Sequence, residues 1–564
     1  MNFLEEYLYT LFFISITMED YKANFIYFLL RTGALKVGGD FSLKSKRISP
    51  WFVNIGDFDD GESSTELGRF YSESLLKSEE QFDLLYGIPD KGREIVVAVS
   101  NEMAKRGKNI PRFSTRRVPK DHGEASAVQI YGDAKNVKEF LAKMQGLSQS
   151  DRIKAWVIGR SPQDGQRIAQ IDDVFTAGDA KYEALDMLKF LGDFKLPLLA
   201  IAVDRQEVGI DASGKSAIES YEQKTGTKVV SIVNAIDVYT TLKDMLPKIE
   251  NEISGLTQQH SDAFIELEQK RSDEVKEKLK KELTFLEEQM GELYGISASL
   301  KPENIERMAT YIRVYGTKSA RDAIVESAGA LEQKIIGRDR SVIPACDVST
   351  LEDFESIVRE TADIEGIGGY KIPAISGRKG WERWIEIARK QTTKPLIYDH
   401  QKAGTDIPDT GQEFMKQLKE AGFDAVILFP QSGPETERAW IYHALDKGLN
   451  VIVGGRMTHP AYAVSEGGFI TDEGALDMYR IAARAGINNF VVPGNKPDVI
   501  KQVKDVVEAE GVNPIFYAPG FIAQGGNISD AAKVAGDRFH GIVGRGIYQA
   551  QDKKAAAIEH CSQL

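Results

Sequence analysis

Residues able to do chemistry gather in two places, and the denser group is YDHQKAGTDIPDT at 398–410. There Asp399, Lys402 and Asp406 follow at once on the apolar KPLI of 394–397. Asp347 in PACD and Lys371 in GGYK stand behind two earlier apolar runs in the same way. Two like charges about 4 Å apart repel by roughly 4 kcal/mol at an effective dielectric near 20. An array that alternates acid and lysine relieves that repulsion, keeps the ammonium groups protonated and fixes their positions. A substrate carboxylate pressed against such an acid is destabilised. A neighbouring ammonium can stabilise a developing carbanion and then protonate it. Those are the requirements of a decarboxylation carried out without an electron-sink cofactor. Loop charges also serve solubility alone, so the position of these residues in the fold has to decide.

The second group lies upstream. In RIAQIDDVFTAGDA (167–180) an apolar run delivers Asp172 and Asp173, then a turn of small residues. Adjacent carboxylates can accept hydrogen bonds from two ribose hydroxyls or approach a metal. The backbone N–H groups of Thr176, Ala177 and Gly178, opening a helix, can cradle a phosphate. RRVPKDHGE (116–124) places Arg116, Arg117, Lys120 and His122 in one polar loop, a grip for pyrophosphate. Lys91 follows a strand in YGIPDKG (86–92), and Lys44 sits near Phe52 in FSLKSKRISPWF (41–52). Each segment taken alone also reads as a solvated loop.

The elements that must hold these residues can be counted. Between about 340 and 547 eight strand-like runs occur: SVIPACDV, GGYKIPA, KPLIYD, DAVILFP, NVIVGGRM, NFVVPG, NPIFYAPG and GIVGRGI. Helical patterns such as GWERWIEIARKQ and TGQEFMKQLKEAG separate most of them. That order and length predict a TIM (β/α)8 barrel, in which reactive groups stand beyond the C-terminal ends of the strands. Asp347, Lys371, Asp399 and Lys402 all fall at such ends. From 18 to 245 the runs FDLLYGI, KAWVIG, RIAQIDDV, LPLLAIAVD and KVVSIVN alternate with helical stretches and predict an α/β sheet. Between the two, EQKRSDEVKEKLKKEL (268–283) is charged, with one apolar stripe of Val275, Leu279, Leu283, Leu286 and Met290. It reads as a solvated helical connector.

Bulk properties agree with this division. A chain of 564 residues is expected to hold more than one domain. Its net charge of −13 argues against a general nucleic-acid binder. Two distant cysteines, Cys346 and Cys561, suit a reducing, cytoplasmic setting. The apolar LYTLFFISIT near the N-terminus is too short to span a bilayer, and Glu5 and Glu6 stand where a signal peptide carries positive charge. Residues 1–17 are read as an extension, and the terminal SQL lacks the basic residue of a peroxisomal tripeptide. GIGGYK (366–371) lacks the strand–turn–helix context of a dinucleotide site. His459, His540 and Cys346 read as packing or surface residues, with no metal-ligand spacing around them.

The downstream residues resemble the orotidine 5′-monophosphate (OMP) decarboxylases, which carry an acid–lysine–acid motif ending in DIP. The resemblance covers most of 340–564 and implies catalytic roles for Lys402, Asp399, Asp406 and Lys371. It further implies OMP binding by Asp347, by Thr458 of RMTHP at the pyrimidine, and by Gln524 of PGFIAQGG and Arg545 of VGRGIY at the phosphate. The motif departs from the compact Asp-x-Lys-x-x-Asp, each gap being one residue longer, and Thr458 stands where many members have Ser. The family uses no metal or cofactor, and its second Asp reaches a partner's site, which implies a dimer.

Upstream, most of 20–245 resembles the orotate phosphoribosyltransferases, a type I, Rossmann-like fold. The resemblance assigns Lys91, Arg116, Arg117, Asp172, Asp173, Thr176, Ala177 and Gly178 to phosphoribosyl pyrophosphate (PRPP). Lys44, Phe52, Thr176 and Arg205 fall to orotate, and Lys120 and His122 to the catalytic loop. Mg²⁺ is implied, held mainly by PRPP and with no direct protein ligand assigned. Arg117 replaces a usual lysine, and Lys46 stands where the family often has Gly. Together the two parts resemble bifunctional UMP synthases, acting on orotate, PRPP and OMP, without nucleic acid or membrane. The expected division is 18–245 transferase, 246–335 charged helical linker and 336–564 decarboxylase barrel, in a homodimer or higher oligomer. Two other readings stay open: a barrel acting on sugar phosphates with a metal, and a first domain that senses nucleotides without turnover.

Overall fold

The apolar runs before residue 245 form a layered α/β sheet. The computed structural model describes residues 21–116, 146–175, 178–269, 272–331, 333–374, 380–400, 406–522 and 524–564. It divides into two compact units, residues 1–207 with 215–308, and residues 208–214 with 309–564.

In the first unit a two-stranded antiparallel ribbon, β1 (Leu35–Ser42) and β2 (Ile48–Val53), precedes the main sheet. The sheet holds β3 (Leu84–Gly87), β4 (Arg112–Thr115), β5 (Val157–Gly159), β6 (Arg167–Ile171), β7 (Lys195–Asp204) and β8 (Lys228–Asn234). Their order is β5-β4-β3-β6-β7-β8, parallel except for β5 at the edge. LPLLAIAVD is a continuous apolar run because β7 is covered on both faces, as buried parallel strands are. Helix Gly61–Lys77 starts where the Asp60 carboxylate accepts from the Ser63 N–H at 2.7 Å. A Ser216–Glu219 capping box starts helix Ala217–Thr225.

The charged stretch predicted as one helix over 268–283 belongs to two. Helix Ala235–Gln269 takes in its first two residues, and helix Asp273–Ser299 contains most of the rest. Leu279 and Leu283 bury against Ala263, whereas Val275 at the start of the expected stripe is exposed. The helix therefore pairs with its predecessor instead of standing alone in solvent.

All eight predicted strands of the second unit are present: β9 (Arg340–Pro344), β10 (Tyr370–Pro373), β11 (Leu396–Asp399), β12 (Ala425–Leu428), β13 (Asn450–Gly454), β14 (Asn489–Val491), β15 (Ile515–Ala518) and β16 (Phe539–Val543). Neighbours in sequence pair in parallel, β16 pairs with β9, and β9 meets β10 through the Ala345–Lys371 bridge, which closes the barrel. Ile343, Ile397, Ile427, Ile452, Ile515 and Ile542, one from each of six strands, share its packed core.

One close approach sets where the chain runs after β3. Helix Gly92–Lys105 starts against the end of β6, and a Cβ on Gly92 would overlap the Ile171 carbonyl oxygen. That oxygen already accepts from the Ile88 N–H at 3.0 Å, so it cannot move freely. Gly92→Ala is expected to destabilise the first unit by about 1–3 kcal/mol through overpacking, read as an earlier midpoint for that unit in urea unfolding.

Candidate active sites

In the first unit β3 and β6 are neighbours, with Gly87 in register with Ile171. The chain leaves β3 toward β4 on one side and leaves β6 toward β7 on the other. Such a reversal opens a crevice beyond the carboxyl ends of the two strands. The segments that flank it are IPDKG (88–92) and the turn after β6. Lys91 Nζ donates to Asn54 Oδ1 at 3.2 Å and lies 3.8 Å from Asp173 Oδ2. The two adjacent acids differ sharply in environment. Asp172 is buried, its Oδ2 2.6 Å from Lys181 Nζ, and the Tyr71 hydroxyl donates to its carbonyl at 2.7 Å. Burial pushes the Asp172 carboxyl above the ordinary carboxylate range, and Lys181 pulls against that rise. Asp173 is partly exposed and accepts from the Val174 N–H at 2.6 Å. Gly178, at φ 85°, takes the left-handed turn that opens helix Asp179–Leu191, and that helix start can receive an anion.

Of the other expected residues here, Arg116 directly follows β4, its N–H donating to the Trp156 carbonyl at 2.9 Å. Arg117, Lys120, His122, Thr176 and Ala177 lie outside the described residues. Arg205 is brought to the β1–β2 ribbon, but onto Trp51 and not Phe52. Its guanidinium lies 4.0 Å from the Trp51 ring, donates to Ser49 Oγ at 2.8 Å and pairs with Glu207 at 2.7 Å. Phe52 stacks on Phe41, and strand alternation puts it on the other face of β2. Lys44 is exposed in the ribbon's turn, where Lys46 adopts φ 69°. That angle is the reason glycine is favoured at position 46.

The barrel assembles its predicted charges at the C-terminal ends of β9, β10 and β11. Lys371 is buried and donates to Asp347 Oδ1 at 3.2 Å and to Asp399, which is fully buried. Burial opposes the charge on Lys371, but Asp399 and Asp347 outweigh it and hold the ammonium protonated above its ordinary range. Asp347 is the more exposed of the two acids. Lys402 lies outside the described residues. Asp406 is exposed, and its carboxylate accepts from the Ile407 N–H at 2.8 Å.

Thr458 and Gln524, from the loops after β13 and β15, are brought together by a residue that the sequence patterns do not single out. Asn495 Nδ2 donates to the Thr458 carbonyl at 3.0 Å and to the Gln524 carbonyl at 3.3 Å. Its neighbour Lys496 pairs with Glu466 at 2.6 Å, and Glu466 also meets the buried Arg456. Arg545 is exposed at the start of the short helix after β16. Nothing in the local sequence marks Asn495. Lys181 did leave a signal, since it falls on the face that carries Ala184, Leu185 and Leu188 inward, where a lysine demands a partner.

The "Orotidine 5'-phosphate decarboxylase / HUMPS family" matches residues 340–559. The upstream part is 31% identical over 221 residues to the orotate phosphoribosyltransferase of Stenotrophomonas maltophilia (strain K279a), covering 39% of this chain and 86% of the relative. A protein of the same description from Polynucleobacter necessarius subsp. necessarius (strain STIR1) is 34% identical over 214 residues, covering 37% of this chain and 82% of the relative. A crystal structure of orotidine 5′-monophosphate decarboxylase from Methanocaldococcus jannaschii, complexed with inhibitor BMP, is 26% identical with a TM-score of 0.36, covering 40% of this chain and 98% of that one.

Asp399→Asn is expected to lower barrel stability by about 3 kcal/mol, because it leaves the buried Lys371 ammonium to Asp347 alone. Lys371 has its folded value raised, so the stability it draws from the pair is complete below about pH 10 and is lost only as pH climbs further. Denaturant titrations at pH 6 and pH 9 should therefore give the same deficit.

Proposed function

The chain belongs to the orotate phosphoribosyltransferase family over its first part and matches the orotidine 5′-phosphate decarboxylase family over its second, and from that premise we propose how its residues divide the work. It is a bifunctional enzyme of pyrimidine biosynthesis. The first domain joins orotate to PRPP to give OMP and pyrophosphate, and the barrel decarboxylates OMP to UMP. The observation that carries this reading is the pairing itself: the product of one half is the substrate of the other.

In the first reaction a ring nitrogen of orotate bonds to the anomeric carbon of the ribose while the carbon–oxygen bond to pyrophosphate breaks. Asp173, the more open of the two acids, accepts from a ribose hydroxyl. Lys91, with Arg116, Arg117, Lys120 and His122, neutralises charge on the departing pyrophosphate. Gly178 and the helix start behind it hold the 5′-phosphate, with Thr176 and Ala177. Lys44 and Phe52 bind orotate; Arg205, tied to Trp51, Ser49 and Glu207 on the opposite face of the ribbon, is left out of that contact. The donor chemistry of the crevice fits Mg²⁺, which takes one or two carboxylates and completes its shell with substrate phosphates and water. Asp173 offers one such oxygen, and when bound the ion screens the diphosphate charge. Among the described residues no cluster of three or more His, Cys, Asp or Glu would hold a metal without substrate.

In the second reaction the bond between the pyrimidine ring and its carboxylate breaks, CO₂ leaves, and a proton is delivered to the ring carbon. Asp399 crowds the carboxylate and Asp347 binds OMP; Lys371, fixed between them, holds the array in register. Lys402 supplies the proton, and no metal is needed. Thr458 contacts the pyrimidine, Gln524 and Arg545 the phosphate, and Asp406 serves the partner's site in a homodimer. Cys346 and Cys561 are free thiols, in keeping with the cytoplasm. Among the described residues no helix is long and apolar enough to cross a membrane.

Purified chain given orotate, PRPP and Mg²⁺ should form UMP and pyrophosphate. Supplied OMP should be consumed in EDTA, and its survival there would transfer the barrel to metal-dependent sugar-phosphate chemistry. Lys402→Ala should stop decarboxylation by at least about a thousandfold, the scale of a lost proton donor plus charge, with OMP then accumulating from orotate. Decarboxylation near the wild-type rate would remove Lys402 from the role of proton donor.

A further inference from the structure

Lys181 has no part in the chemistry assigned above, yet its position is costly. It lies in the first turn of helix Asp179–Leu191 and is 5% exposed. An ammonium there meets both the cost of burial and the positive end of the helix dipole. Its partners offset both. Lys181 Nζ lies 2.6 Å from Asp172 Oδ2 and donates to the Val174 carbonyl at 2.6 Å. Asp172 and Val174 are the two residues on either side of Asp173. One ammonium therefore ties down both neighbours of Asp173, and the Tyr71 hydroxyl adds a third tie at the Asp172 carbonyl. Asp173 stays at the crevice, its Oδ2 3.8 Å from Lys91 Nζ. A helix that needed only core packing at position 181 would be better served by leucine or methionine, so the charge points to the turn it grips.

We propose that Lys181 is a positioning residue for phosphoribosyl transfer: by holding Asp172 and Val174 with one ammonium, it fixes the turn that presents Asp173 to the ribose hydroxyls of PRPP. The inference rests on the transferase reading of the first domain. Lys181 touches neither substrate nor reacting atoms and acts only through the turn. Loss of its charge should therefore weaken PRPP binding while leaving the chemical step of bound substrate largely intact.

The test uses the full-length chain and steady-state transferase kinetics with orotate saturating. Lys181→Met is expected to raise the KM for PRPP roughly tenfold with kcat changed less than about threefold. Lys181→Arg, which keeps the charge and can reach both acceptors, should restore KM to within about threefold of wild type. If Lys181→Met is too unstable to assay, Lys181→Gln carries the same comparison. An unchanged PRPP KM in the charge-removing variant, a fall confined to kcat, or no rescue by Lys181→Arg would overturn the inference while the transferase stands. A wild-type chain that forms no OMP from orotate and PRPP overturns the transferase reading, and this inference with it.

Discussion

A buried ammonium must find carboxylates or carbonyls within hydrogen-bond reach, and in this chain that requirement organises both sites. Lys371 is enclosed at the ends of β10 and β11 and survives as a cation only because Asp399 and Asp347 converge on it. Lys181 is enclosed at the start of a helix and survives because Asp172 and the Val174 carbonyl do. In each case the desolvation cost forces a geometry: the acids cannot swing away without stranding a charge. The same constraint that is expensive for stability is therefore what holds the acids of both candidate sites in place.

The two folds supply those positions by different routes. In the first unit the crevice exists because strand order reverses between β3 and β6, which sends the chain from the two strands to opposite sides of the sheet. In the second, every strand of the barrel delivers its C-terminal residues to one face, so Asp347, Lys371 and Asp399 from three successive strands meet. Small residues make the approach possible. Gly87 and Gly92 let the helix after β3 start hard against β6, which brings Lys91 within range of Asp173. Gly520, at φ 108°, turns the loop after β15 past Thr458 and Asn495 toward Gln524.

How much of this is legible in the sequence depends on the strength of the local signal. The barrel is legible because eight apolar runs, most of them separated by a helical pattern, leave few alternatives. The alternation before 245 yields β3, β6, β7 and β8, but of KAWVIG only Val157–Gly159 is strand, its first three residues ending a helix; β4, as RFST, has one apolar residue, and Gly38, Gly39 and Pro50 interrupt the runs of β1 and β2. Lys371, Asp347 and Asp399 are conspicuous because they are charges at strand ends. The pairing of Arg205 with Trp51 is not, because it joins residues 154 positions apart. Asn495 is hidden for a similar reason: it acts by hydrogen bonds to backbone carbonyls, which any residue in the partner loop would provide. Lys181 is visible in principle, as a lysine on a core-facing stripe, but the adjacent acids it serves carry the more obvious chemistry.

The lengthened acid–lysine–acid segment can be weighed on the same terms. Two added residues would disrupt the array if they displaced its ends, and both ends are anchored by contacts of their own. Asp399 is pinned by Lys371, and its strand register to β12 is regular. Asp406 caps the following N–H, while the Ile407 carbonyl accepts from Trp440 Nε1 at 3.2 Å on a buried helix of the barrel wall. The extra length therefore falls between two fixed points and need not be transmitted to either. Loop insertions of this size cost little in closure entropy, since that cost grows only with the logarithm of length. Asp399 and Asp406 are thus each set by contacts of their own and not by the spacing between them.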